Sequence, residues 1–344
     1  MSDEIRGLAR GEAEVPLSVL DLATVSAGDT PTQALNTSTE LVRRAEAWGY
    51  HRYWVAEHHG MPSVASSSPA VLIAHLAASS RTIRVGSGGV MLPNHAPLIV
   101  AEQFGTLHAL HPGRIDLGLG RAPGTDQATA RALRRGDADA FPEEVADLTR
   151  FMDGSFPDDH PYARIQAIPR GADRPPVWLL GSSGFSAQLA ALLGLPFAFA
   201  HHFSAAHTEP ALELYRTTFR PSPWLDKPYA MIGVSAVAAD TGAEALRLAR
   251  TLALAMLRLR SGRPGPVPSP EEAENHPYSG YESAFVEDWL SNVVIGDGPA
   301  VRAGLTALRD RTQADELMIT TGVYGGANRI RSYELIAKAF ALTP

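Results

Sequence analysis

IRVGSGGVMLPNHAPLIVAEQFGTLHALHPGRIDLGLGRAPG, residues 83–124, reads as strand, loop, helix, strand and then a loop carrying an arginine. The β-branched start Ile83-Arg84-Val85 runs into Gly86, Gly88 and Gly89. Glycine weakens a strand interior, so this density predicts a bulge, an unusual backbone or a molecule pressed against the chain. Pro97 opens a helix, and a second short strand, Ile115 to Leu119, delivers Arg121 just past its C-terminal end. In parallel α/β proteins ligands bind at that end of the strands. A flat or phosphorylated ligand is expected there.

The same alternation repeats on both sides of this unit. Upstream, a strand from Leu17 to Thr24 precedes a helix near Thr32 to Trp48, which Gly49 stops. Arg52 to Glu57 forms the second strand, and Ser68-Pro69 reads as N-cap and first position of the next helix. Downstream, residues 122–140 are polar and longer than an ordinary connection, so they read as a functional loop. A helix near Phe141 to Met152 follows, and then strands at Val177–Leu180, Phe197–Ala200, Tyr229–Ala238 and Glu316–Thr321. Helices fall between them, near Ser186–Leu193, Glu209–Phe219, Ala243–Leu259 and Pro299–Leu308. Eight strands alternating with helices predict one (β/α)8 TIM-barrel domain. Residues 261–290, SGRPGPVPSPEEAENHPYSGY and onward, are too rich in Pro, Gly and Ser for core. They read as an insertion before the last strand, placed to act as a lid.

The totals agree with a barrel and narrow its chemistry. A length of 344 residues suits a barrel of about 250 residues with insertions. The net charge of −7, with no Lys/Arg stripe, argues against nucleic-acid binding. There are no cysteines, which excludes disulfides, thiolate nucleophiles, zinc-thiolate sites and Cys-ligated clusters. The opening MSDEIRGLARGEAEVPLSVL lacks a signal-type apolar core, and the most apolar runs are too short to span a bilayer. A cytoplasmic protein without membrane contact is therefore expected.

Candidate chemistry gathers at the strand ends. The second strand ends in Glu57-His58-His59, where a histidine can act as acid, base or donor and a carboxylate can fix its tautomer. The alternative is a structurally satisfied histidine beside a strand-end cap. The fifth strand ends in Gly181-Ser182-Ser183-Gly184-Phe185-Ser186 and opens a helix, whose N–H groups and hydroxyls suit an anion. Arg121 can supply the matching charge, although Ser183 and Ser186 also suit plain helix capping. His201-His202 after strand six is the one cluster comparable to Glu57-His58-His59, and two such clusters are poor material for a metal site. Gly118-x-Gly120 begins a dinucleotide fingerprint, but Pro123 interrupts it and the next glycine, Gly124, falls out of register. No nicotinamide fold is apparent.

These segments resemble the bacterial-luciferase-like flavin-dependent monooxygenase family, in its alkanal-monooxygenase-like branch. The resemblance rests on LSVLDLATV, GYHRYWVAEHHGM, the block from Val85 to Gln127, PVWLLGSSGFSAQLAALLGLPFAFAHHF and KPYAMI, with a weaker match over Leu317–Gly322. It implies a TIM barrel binding reduced FMN, or in some branches F420, at the C-terminal face. Arg121, Ser182, Ser183, Gly184 and Ser186 then correspond to phosphate contacts. Gly88-Gly89 corresponds to a non-prolyl cis peptide behind the flavin ring, and Ala23 and Thr24 lie near that ring. His58 matches the functional histidine, with Glu57 or His59 behind it.

The light-emitting relatives carry a reactive cysteine near the flavin. Here Gly120 stands at that strand-four position, a departure from the light-emitting pattern. The resemblance further implies a small-molecule substrate, with an aldehyde as the family's default, and O2 as co-substrate. A separate flavin reductase would supply reduced FMN. A homodimer is expected through the apolar helices near 68–78 and 97–110. Competing expectations are an F420-dependent oxidoreductase on the same barrel, a non-catalytic flavin-binding protein and, more remotely, a metal-dependent barrel hydrolase.

Overall fold

Parallel strands close on themselves in the computed structural model, which describes residues 5–171 and 173–344. The strands are β1 (Leu17–Asp21), β2 (Arg52–Val55), β3 (Arg84–Met91), β4 (Ile115–Gly120), β5 (Val177–Gly181), β6 (Phe197–Phe199), β7 (Ala230–Ala238), β8 (Val294–Gly296) and β9 (Glu316–Thr320). Hydrogen bonding runs β1-β2-β3-β4-β5-β6-β7-β9 and returns to β1, giving an eight-stranded parallel barrel. The short β8 pairs only with the far end of β7, at Ala236–Ala238, and stands outside the ring.

The helices α1 (Pro31–Trp48), α2 (Pro69–Ser79), α3 (Pro97–Leu110), α4 (Gln127–Ala132), α5 (Phe141–Asp153), α6 (Gly184–Leu193) and α7 (Thr208–Thr218) occupy the first two thirds of the chain. They are followed by α8 (Gly242–Arg260), α9 (Pro270–Asn275), α10 (Gly280–Ser291), α11 (Gly298–Thr312) and α12 (Gly326–Ala339). Alternation along the strands sorts side chains into two cores. Leu17, Val19, Tyr53, Val55, Val85, Ile232 and Val234 face outward into the main core under the helices. Leu20, Trp54, Trp178, Met231 and Met318 fill the barrel itself. Below them Arg52 pairs with Glu316 at 3.0 Å and with Asp116 at 2.9 Å, all three fully buried.

Two sequence expectations change here. Gly86 and Gly88 do not leave room for a ligand alone. A Cβ on Gly86 would stand 2.7 Å from Trp54 Nε1, and one on Gly88 would stand 2.9 Å from Leu20 Cδ1. These glycines make space for the side chains that fill the barrel. The second change concerns residues 261–290, which carry α9 and most of α10 and bury Val267, Pro268, Pro270, Ala273 and Val286. Ala273 and Val286 join a small core with Ala253, Leu254 and Leu257 of α8. The polar stretch 122–140 likewise contains α4 and a 3-10 turn at Ala138–Ala140. The first strand is shorter than expected, ending at Asp21, and Thr24 forms an isolated bridge with Val64.

Candidate active site

Every residue singled out at a strand end lies at the C-terminal mouth of the barrel, yet they divide into separate groups. Between β3 and β4 the register shifts after Gly88↔Gly118, so that Val90 pairs with Leu119. This is the bulge that the glycine density predicts, and the Gly88–Gly89 peptide is cis. A Cβ on Gly89 would meet the Gly118 carbonyl oxygen at 2.8 Å, so only glycine fits this crossing. At the end of β1, Ala23 takes a left-handed φ of 48°. Its N–H donates to Asp21 Oδ1 at 2.9 Å, and Asp21 in turn accepts from Tyr53 and from Arg329 of α12.

Glu57 does not reach His58. Its fully buried carboxylate accepts from His59 Nε2 (2.8 Å), His95 Nε2 (2.9 Å), Asn94 Nδ2 (3.2 Å) and the Met91 backbone N–H (3.0 Å). Burial alone would raise its pKa, but the donors from His95, His59 and Met91 outweigh this and hold Glu57 lowered. The carboxylate therefore stays ionised and ties the end of β2 to the loop after β3. His95 and Asn94 escaped the sequence reading. Their signal was available: they follow directly on β3, at the functional face.

His58 stands apart from that cluster. Its backbone N–H donates to the Ser66 carbonyl at 3.0 Å, and its ring Nδ1 is buried with no partner among the described residues. Burial lowers its pKa, opposed by Glu57 and assisted by His59, so the imidazole is neutral at pH 7. A buried, unpartnered ring nitrogen is costly unless something bound at the mouth completes it.

The anion-type site assembles from β4 and β5. Ser183 caps α6 by position but its hydroxyl makes no capping bond, and the first turn carries no acidic residue. The N–H groups of that turn have no intrahelical acceptors, so they and the Ser183 hydroxyl are free to donate. The Arg121 guanidinium carbon sits 4.2 Å from the centre of the Phe185 ring, which brings its charge to this same turn. Ser182 is exposed beside it, whereas Ser186 is buried and packed on Gly181, where a Cβ would come within 2.4 Å. The His201 and His202 rings turn to separate partners, Thr208 Oγ1 at 2.7 Å and the Gly233 carbonyl at 2.9 Å. Among the described residues no group of three His, Asp or Glu side chains is arranged to hold a metal ion.

Known proteins share this architecture. The luciferase-like monooxygenase of Escherichia coli (strain K12) is 48% identical over 324 residues, covering 93% of this chain and 96% of that protein. The N-acetyl-S-alkylcysteine monooxygenase of Bacillus subtilis (strain 168) is 35% identical over 328 residues, 94% of this chain and 98% of that one. The crystal structure of apo-MsnO8 superposes with a TM-score of 0.88 at 39% identity, covering 96% of this chain and all of that one.

Two more distant structures share the fold alone. One is the FMN complex of the oxygenating constituent of 3,6-diketocamphane monooxygenase from Pseudomonas putida (TM-score 0.69, 18% identity, 96% and 99% covered). The other is an F420-dependent secondary alcohol dehydrogenase (TM-score 0.66, 15% identity, 95% and 99% covered). Residues 15–312 match the profile of the luciferase-like monooxygenases. The chain belongs to the luciferase-like monooxygenase family.

Proposed function

We propose that this protein is a two-component monooxygenase that uses reduced FMN and O2 to oxidise a small organic substrate. The observation carrying this reading is the free first turn of α6 with Arg121 beside it, a donor set that suits a terminal phosphate. Gly88 and Gly89, with Ala23 and Thr24, would back the ring system at the mouth. The orphaned Nδ1 of His58 fits a site completed by a bound molecule. When bound, reduced FMN supplies two electrons to O2, so that one oxygen atom enters the substrate and the other leaves as water.

The chain's own residues do the rest. Neutral His58 can hold or accept a proton at the reacting centre. Glu57 fixes His59, His95 and the β3 loop around it. The 261–290 segment shields the mouth from water. It reaches the end of β1 through paired backbone bonds, Val267 N–H to the Val25 carbonyl (2.9 Å) and Ala27 N–H to the Val267 carbonyl (2.8 Å). A flavin reductase is the expected partner, and a homodimer through α2 and α3 would cover the exposed Val71, Ile99 and Leu110. Candidate substrates are a long-chain aldehyde and, from the B. subtilis relative, an S-alkylated cysteine derivative.

F420 is the second reading, since one structure of the same fold is F420-dependent. Titration with FMN and with F420, followed by exposure of the reduced complex to 18O2, separates the two. FMN binding with 18O in the product supports the proposal. Tight F420 binding with hydride transfer and no label in the product replaces it.

A further inference from the structure

His202 follows β6, and in the ring of eight strands β6 lies directly across from β2, which carries His58. Gly233 is the strand residue beneath it. Its neighbours Ile232 and Val234 face outward and Met231 faces the barrel interior, so Gly233 also faces inward. A Cβ on Gly233 would stand 3.0 Å from His202 Cε1 and Nδ1, so the imidazole packs closely over the bare glycine, where an added methyl would push it aside by a few tenths of an ångström.

The Gly233 carbonyl accepts both the His202 backbone N–H (3.0 Å) and the ring Nδ1 (2.9 Å). A carbonyl can only accept, so Nδ1 carries the hydrogen and Nε2 keeps a lone pair. Burial, with His201 and His58 adding to it and the Gly233 bond opposing, brings the His202 pKa down to about 4, so the ring is neutral. Nε2 has no protein partner among the described residues. The Phe203 ring, its centre 4.3 Å from that of His202, adds an exposed apolar wall.

We propose that His202 is a substrate-recognition group, its Nε2 accepting a hydrogen bond from an O–H or N–H on an otherwise apolar substrate. The inference deepens the monooxygenase reading of this mouth and rests on it for the identity of the ligand as substrate. The imidazole selects for a donor-bearing molecule and, from the far side of the barrel, orients it toward His58. Specificity of this kind follows because a fixed acceptor is left unpaired by a ligand without a donor.

Calorimetric titration of the full chain with 1-octanol and with methyl octyl ether tests this, alongside a separate titration with FMN. The wild type is expected to bind the alcohol about fivefold tighter than the ether, the worth of one neutral hydrogen bond. His202→Phe should bind both alike. Gly233→Ala, which keeps the imidazole but pushes it aside by a few tenths of an ångström, should weaken the preference. FMN affinity should stay within about twofold in both variants, since the proposed contact is to substrate. A preference that survives in His202→Phe, or is absent from the wild type, overturns the assignment, as does an equal loss of FMN affinity. Alcohol preference in a wild-type protein that binds no FMN would sink the flavin reading and leave the His202 acceptor standing.

Discussion

Glu57→Gln keeps the length and shape of the side chain and removes its charge and one acceptor. In the wild type Oε1 accepts from His59, His95 and Asn94, while Oε2 accepts from the Met91 N–H and also from His95. With the amide oxygen in the Oε1 position, its NH2 confronts the Met91 N–H, a backbone donor that cannot turn away. With the amide reversed, the NH2 confronts Asn94 and both histidines, which must then change tautomer. Either way at least one buried donor is orphaned, at about 1–3 kcal/mol, and the remaining charge-assisted bonds weaken. A total loss of about 2–4 kcal/mol follows from these terms.

Urea denaturation at pH 7 should therefore show a lower midpoint with an unchanged slope. The pH dependence supplies the second half of the test. Glu57 has a folded pKa below its unfolded value, so its contribution is present above about pH 4.3 and is lost as pH falls through the folded pKa. Glutamine has no such titration. The gap between wild type and variant should be full at pH 6–7 and shrink below about pH 4. Equal midpoints at pH 7, or a gap that does not narrow as the pH is lowered below about 4, would refute the reasoning.

Further expectations follow from the other groups. His58→Ala should slow substrate oxygenation by at least about 100-fold, the usual worth of a positioned proton-transfer group, while FMN affinity changes little; an equal fall in both, by stopped-flow and fluorescence titration, would make His58 structural. Arg121→Ala should weaken FMN binding by about tenfold or more, the value of one charge-assisted hydrogen bond, and leave riboflavin binding unchanged. Unaltered FMN affinity would remove Arg121 from the phosphate site. Arg52→Met leaves Glu316 and Asp116 buried with one partner fewer, and should cost about 3–5 kcal/mol in denaturant titration. A near-neutral result would mean that the remaining donors, Arg84 to Asp116 and Ser18 and Tyr229 to Glu316, suffice.

Legibility varied with the range of the interactions involved. The strands that close the ring were readable because each is a short apolar run bounded by turn residues, a pattern local to the strand. The three-residue β8 is too short to leave one, and α12, whose Ile330, Tyr333, Ile336 and Ala337 keep helical spacing, went unread. The helices inside 261–290 did announce themselves. Ser269 and Ser279 each precede a glutamate by three residues, at Glu272 and Glu282, but the surrounding Pro and Gly outweighed that signal.

The candidate site divides along the same line. That a ligand belongs at residues 83–124 and at the start of α6 could be read from glycine density, strand ends and an arginine, all features of adjacent residues. Barrel closure decided which polar groups meet. It turned Glu57 away from its sequence neighbour His58 and toward His95, 38 residues on. It also laid His202 over Gly233, 31 residues away, opposite His58. Periodicity and capping are short-range preferences written along the chain. The partner of a buried donor is chosen only when distant strands are brought within hydrogen-bond reach, where leaving any polar atom unpaired is costly.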